Sequence, residues 1–81
     1  MQMTTVENTA EKLSTFEILE ARYGLLMSLK DVAEILKYPT ADSVRKALAR
    51  KTLALPTTRL PNRREIFIRT NEVAKYLDNQ T

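Results

Sequence analysis

The 81-residue sequence contains no cysteine, no histidine and a single glycine. Without cysteine or histidine, a chain forms no disulfide, no Cys- or His-based zinc site and no nucleophile–histidine pair. One glycine is too few for the glycine-rich loops that hold nucleotide phosphates. No run of large apolar residues exceeds three, as in Leu25-Leu26-Met27, which is far too short to cross a membrane. These absences argue against an enzyme, a metal site, a cofactor and membrane contact, and they favour a small cytoplasmic binding protein.

Charge is unevenly distributed along the chain. Residues 1–40 carry four basic and six acidic side chains, whereas residues 41–81 carry nine basic and four acidic ones. The segment 43–64, called the basic stretch below, has no carboxylate. Its seven cations are Arg45, Lys46, Arg50, Lys51, Arg59, Arg63 and Arg64. A local field of this sign attracts a polyanion such as a nucleic acid.

The first predicted helix begins at Ser14, because Ser14 and Glu17 have the spacing of a capping box, in which each side chain bonds the other residue's backbone N–H. It ends at Gly24, because glycine adopts the left-handed angles of a helix C-terminus at low cost. The apolar stripe of this helix is assigned mainly to the core. Three of its residues are also candidates for protein–protein contact, namely Phe16, Leu19 and Tyr23.

Two further helices are separated by a short turn. Ser28 and Asp31 repeat the capping pattern at the start of the second helix, and Pro39 ends it, since the residue before a proline avoids helical angles. Thr40 caps the third helix, which continues to about Arg50. The short separation of two amphipathic helices is typical of a helix-turn-helix.

The polar face of the third helix is small and basic, which allows a helix to lie close to a duplex. Arginine or lysine near the start of such a helix can reach guanine O6 and N7 in the major groove. We expect Arg45 or Lys46 to contact a base, with phosphate contact or plain solvation as alternatives, and Asp42 to interact mainly with the helix dipole. The candidate base contacts are Thr40, Ala41, Ser43, Arg45 and Lys46.

A β-hairpin is predicted after the third helix, where the apolar period changes to two. Residues 57–60 and 65–68 are rich in β-branched and aromatic side chains, and residues 61–64 between them have turn chemistry. Ile66 and Ile68 are assigned to the core. The alternative is a loop kept soluble by its charge. Candidate contacts to the DNA backbone or minor groove are Ala49, Arg50, Lys51, Arg59, Asn62, Arg63 and Arg64.

The expected fold is mainly α with a small β-hairpin, in one domain. Thr70 is predicted to cap a last helix that contributes to the core. A 9.3 kDa chain is the size of a single small domain. We therefore expect a flexible N-terminal tail over residues 1–13, a folded domain with an extra N-terminal helix over residues 14–78, and a frayed C-terminus over residues 79–81.

Several segments together carry a resemblance to a known family. They are LMSLKDVAEIL (26–36), SVRKAL (43–48), IFIR (66–69) and VAKYL (73–77). In this order they resemble the small MerR-like winged helix-turn-helix proteins that include phage excisionases and AlpA-type regulators. The segment TFEILEARYG (15–24), with ALP (54–56), is similar to the pyocin activator family.

The resemblance implies a recognition helix over residues 40–50 in the major groove, and a wing over residues 57–68 on the adjacent backbone or minor groove. Family members often carry glycine in the turn between the helices and after the recognition helix, where this chain has residues 37–39 and Lys51. A non-glycine residue in a left-handed cap costs about 1 kcal/mol. Either these turns take another shape or the strain is tolerated.

The expected function is that of a sequence-specific double-stranded DNA-binding transcriptional regulator of a phage or other mobile element. Two alternatives stay open, namely an excisionase that bends an attachment site, and a protein-binding adaptor or antirepressor on the same fold. One small unit covers too little DNA for high specificity. We therefore expect a homodimer or a cooperative oligomer on DNA, with RNA polymerase or an integrase as further candidate partners.

Overall fold

This computed structural model describes residues 13–80. Within this range the chain forms four helices and a three-stranded sheet, which are connected by turns and loops. The expected tail therefore lies outside the described residues except for Leu13. The elements in chain order are α1 (Thr15–Tyr23), β1 (Leu26–Ser28), α2 (Leu29–Leu36), α3 (Ala41–Ala49), β2 (Thr58–Arg59), β3 (Ile66–Arg69) and α4 (Thr70–Asp78). The predicted mainly helical class with a small antiparallel hairpin is confirmed.

The first two helices begin at capping boxes, as the sequence predicts. Ser14 Oγ accepts from the Glu17 N–H at 3.1 Å, and the Glu17 carboxylate accepts from the Ser14 N–H at 2.9 Å. Ser28 and Asp31 make the same reciprocal pair at 3.1 and 3.2 Å. Each box satisfies two backbone donors that a helix start otherwise leaves without partners.

α1, α2 and α3 are each followed within two residues by a residue with positive φ. Gly24 ends α1 with a φ of 82°, as predicted. However, α2 ends at Leu36, before Pro39, because Lys37 already adopts a left-handed φ of 67°. Lys51, which follows α3, has a φ of 61°. Without glycine, these two turns could have taken another shape or kept the left-handed conformation under strain. The structure shows the second outcome, because both lysines are left-handed.

The sheet has the order β1-β3-β2, and both pairings are antiparallel. The sequence analysis did not predict β1, because three residues are too few to show alternation. β1 nevertheless supplies Met27, which lies opposite Ile68 on β3, and both side chains are fully buried. Ile66 is half-buried, so the predicted assignment of both isoleucines to the core face holds more fully for Ile68. This strand pair anchors the hairpin to the helices.

The start of α4 differs from the prediction. Thr70 is the first residue of the helix rather than its cap, and Arg69 occupies the cap position without a side-chain hydrogen bond. Since β3 leads directly into α4, Thr70 is turned inward, fully buried, and its hydroxyl donates to the Gly24 carbonyl at 2.6 Å. That bond ties the end of α1 to the start of α4.

The expected role of α1 in protein contacts requires a correction. Leu19 is 4% exposed and belongs to the core, so it offers no surface to a partner. Phe16 and Tyr23 are half-buried and also pack on the core. α1 packs on α4, while the Tyr23 hydroxyl reaches Glu34 on α2. The large apolar side chains that α1 and its flanks expose are Leu13, Ile18 and Leu25.

The helices are all short. Among residues 13–80, no helix is both long and apolar enough to span a membrane.

Candidate nucleic-acid interface

The basic stretch runs from α3 through a loop into the β2–β3 hairpin. The loop folds back on α3, because the N–H groups of Thr52 and Leu53 donate to the Ala47 carbonyl at 3.0 and 3.2 Å. Leu53 and Leu55 are buried in the core and fix the path of the loop. The two basic segments are therefore connected by an anchored loop.

A small groove shows that α3 and the hairpin are neighbours. Its volume is about 100 Å³, and it is lined by Ser28, Leu29, Arg45, Glu65 and Ile66. Arg45 comes from the middle of α3, whereas Glu65 and Ile66 lead into β3. The side chain predicted to contact a base therefore borders the same groove as the residues that lead from the hairpin tip into β3.

The candidate base contacts share the first turns of α3. Thr40 caps the helix, since its Oγ1 accepts from the Ser43 N–H at 3.1 Å and lies 3.0 Å from the Ser43 hydroxyl. Thr40, Arg45 and Lys46 are exposed, while Ala41 and Ser43 are half-buried. The Thr40 hydroxyl is thus already used in the cap, and the two cations are the most accessible members of the set.

Asp42 pairs with both of these cations. Its Oδ1 lies 3.1 Å from Arg45 Nη1, and its Oδ2 lies 3.4 Å from Lys46 Nζ. Asp42 was expected to interact mainly with the helix dipole, and these two pairs were not predicted. The signal was present, because residues three and four apart face each other on a helix.

Side-chain contacts also shape the hairpin tip. Arg63 Nη2 lies 3.0 Å from Glu65 Oε1, and the guanidinium of Arg63 stands 5.4 Å from the centre of the Phe67 ring. Arg59 Nη1 donates to the Arg64 carbonyl at 3.3 Å. Asn62 has a left-handed φ of 64°, which fits the predicted turn because asparagine tolerates this region. The tip therefore presents its arginines from a defined turn.

Four cations of the basic stretch remain. Among the described residues, Arg50, Lys51, Arg59 and Arg64 form no ion pair. All four are exposed, as are the neighbouring candidates Ala49 and Asn62. The carboxylates that do reach the stretch are Asp42 and Glu65, which flank it in sequence. This surface therefore keeps a cationic excess.

Within residues 13–80, no group of three or more Asp, Glu, His or Cys side chains is placed to hold a metal ion. The Tyr23 hydroxyl donates to Glu34 Oε1 at 2.8 Å. Burial, together with this hydrogen bond, raises the pKa of Tyr23 above its ordinary value. A raised pKa keeps the phenol protonated, which is the reverse of activation as a base.

Comparison with protein-family models, with curated proteins and with solved structures finds no match to this chain. The resemblance seen in the sequence motifs accordingly stays a prediction, and function is inferred from the geometry of the cationic surface.

Proposed function

We propose that this protein is a sequence-specific double-stranded DNA-binding regulator of transcription with a winged helix-turn-helix. In this proposal α3 enters the major groove, and the β2–β3 hairpin is the wing on the adjacent backbone or minor groove. The order of α2, a short turn, α3 and the hairpin supports it, as does the pairing of β1 with β3, which holds the hairpin against the helices.

The observation that carries the proposal is the shared groove of α3 and the hairpin. Arg45 lines this groove together with Glu65 and Ile66, which supports a binding surface shared by α3 and the start of β3. A helix in the major groove brings an element at its side to the neighbouring phosphates. Cations on opposite sides of a molecule cannot contact one duplex in this way.

Affinity and specificity are assigned to different members of the surface. Phosphate neutralisation comes from Arg50, Lys51, Arg59, Arg63 and Arg64, and it supplies most of the affinity. Arg45 and Lys46, with the small residues at the start of α3, supply base recognition. With about five phosphates neutralised, log K falls against log salt concentration with a slope of about −4 to −5.

The decisive experiment selects bound fragments from a random duplex pool at near-physiological salt. The dissociation constants of the selected site and of a random duplex are then measured by fluorescence anisotropy over a series of salt concentrations. We expect an enriched site and a steep salt dependence. Absence of binding to any duplex at low salt contradicts the proposal.

Charge reversal on the hairpin tests the assignment of the wing. Arg63→Glu combined with Arg64→Glu is expected to weaken binding to every sequence and to flatten the salt slope by about 2, because two phosphate contacts are lost. The matched control is Arg22→Glu with Lys75→Glu, which changes the net charge equally on α1 and α4. Equal losses for the two double variants would show that only overall charge matters, and a loss confined to one DNA sequence would make the wing a base reader.

The biological role is tested by where the protein binds in its own genome. A footprint beside a promoter, with a change in transcript level, supports regulation. A footprint over directly repeated sites with strong bending of the DNA assigns the protein to excision instead.

A further inference from the structure

Asp42 forms ion pairs with both candidate base-reading side chains. It uses both of its oxygens, since Oδ1 pairs with Arg45 and Oδ2 with Lys46. All three side chains are about 60% exposed, so the cluster is open to an approaching ligand. One carboxylate therefore holds two cations on the outer surface of α3.

The position of Asp42 in the helix favours this arrangement. Asp42 lies in the first turn of α3, directly after the Thr40 cap. The positive end of the helix dipole favours a negative charge there, and the spacings to Arg45 and Lys46 are those at which helical side chains meet. The other first-turn acid with a cation partner, Glu72 on α4, contacts Lys75 at the longer distance of 3.9 Å.

We infer that Asp42 is a positioning residue that makes α3 favour base edges over phosphates. This inference rests on the proposed DNA binding. A phosphate that approaches α3 meets the charge of Asp42 and has to compete with it for Arg45 and Lys46. A guanine edge is uncharged, and it accepts from guanidinium N–H groups that Asp42 leaves available, because an arginine has five donors.

Asp42 is therefore expected to raise sequence selectivity by opposing DNA complexes in which α3 contacts only phosphates. Asp42 weakens binding that depends only on the DNA backbone. It strengthens base contact, because the ion pair with Asp42 already orients Arg45. Interfaces gain specificity in this way when a charge opposes the unwanted complex more than the wanted one. Asp42 thus lowers affinity for random DNA and raises the ratio between the best site and a random site.

The test compares Asp42→Asn with the matched control Glu72→Gln. Each variant removes one first-turn carboxylate with a cation partner, but Glu72 lies outside the candidate interface. Asp42→Asn is expected to tighten binding to a random duplex about 3- to 10-fold and to steepen the salt slope by about 1, because a freed cation reaches a phosphate. Its ratio of selected-site to random-site affinity should fall. Glu72→Gln is expected to change neither quantity beyond about twofold.

Asp42→Glu provides the rescue, because it keeps the charge in the first turn and restores the selectivity ratio. Thermal melting of all variants checks that the fold is retained. The inference is overturned if Asp42→Asn leaves the ratio unchanged, or if it changes the ratio no more than Glu72→Gln does. If the unmodified protein binds no duplex at all, the proposed function fails, and this inference fails with it. If the unmodified protein binds DNA but the Asp42→Asn ratio is unchanged, only this inference fails.

Discussion

The α1–α4 side of the molecule and the α3–hairpin side are built on different principles. α1 and α4 are joined by hydrogen bonds between distant residues: Thr15 Oγ1 donates to Asp78 Oδ1 at 2.6 Å, and the buried Thr70 hydroxyl donates to the Gly24 carbonyl. α3 and the hairpin instead expose their polar side chains, and their ion pairs join residues close in sequence. The first side holds the fold together, and the second presents charge.

The balance of charge separates the same two sides. On the first, basic residues have acidic neighbours, as in the pairs Arg22–Glu34 at 3.5 Å and Lys75–Glu72 at 3.9 Å. On the second, Asp42 and Glu65 pair with only three of the seven cations. The comparison teaches that substitutions on the first side should change stability, while those on the second should change binding.

The largest expected effect comes from the strand pair that joins the two sides. Met27→Ala should lower the free energy of unfolding by about 2–5 kcal/mol, because it leaves a cavity opposite Ile68 in the fully buried centre of the sheet. Chemical denaturation measures this change. The control is Leu25→Ala, whose side chain is 65% exposed and whose loss should cost less than about 0.5 kcal/mol. Similar losses for both variants would mean that β1 does not anchor the hairpin.

A smaller effect, confined to binding, is expected at α3. Arg45→Ala should weaken binding to the selected site by about 1–3 kcal/mol and relax the preference at one base position, because a bidentate base contact is lost. Affinity measurements on single-base variants of the site check this. An equal loss on random DNA would place Arg45 among the phosphate contacts.

The left-handed lysines offer a variant that moves stability and binding in opposite directions. Lys51→Gly should raise the stability by about 1 kcal/mol, since glycine adopts the φ of 61° without strain. The same change should weaken DNA binding and flatten the salt slope by about 1, because one cation of the basic stretch is removed. Lys37→Gly relieves similar strain outside the stretch and should stabilise the protein without this change in slope. If the two variants have the same slope, Lys51 contacts no phosphate.

The smallest effect is expected at the Tyr23 hydroxyl. Because the pKa of Tyr23 is raised in the folded protein, its contribution to stability is complete below the unfolded pKa, near 10, and is lost as the pH rises through the folded value. Tyr23→Phe should therefore make the decline of stability in this alkaline range shallower. Unfolding curves at a series of pH values measure the decline, and an unchanged profile would show that ionisation of Tyr23 is not linked to folding. DNA binding at neutral pH should not change.

Much of the fold was predictable because the signals are local. The capping boxes at Ser14 and Ser28 act across three residues, and the Asn62 turn acts within the hairpin. The cationic excess of the basic stretch is also a property of the sequence itself. In the candidate site, Arg45 and Lys46 were predictable as members of one face of α3. The pairing of Asp42 with both was not predicted, although helical spacing indicated it.

The remaining features depend on residues that are distant in sequence. Thr70 has the residue type of a helix cap, yet it bonds to Gly24, 46 residues earlier, because the junction of β3 and α4 buries it. Leu19 lies on an apolar stripe that was assigned mainly to the core but also offered contact candidates, and packing placed it in the core. No local pattern reports such contacts, because they form only once the chain has closed and the apolar faces have packed.

The sequence by itself determined where the first three helices begin, which segment carries the positive charge and which residue types the chain lacks, since each depends on residue type and on interactions within a few positions. Only the tertiary structure decided that β1 pairs with β3, that two lysines take left-handed angles, and that Arg45 borders the same groove as the start of β3. The physical reason is that packing the core around Met27 and Ile68 selects one arrangement of segments that local energies leave undetermined.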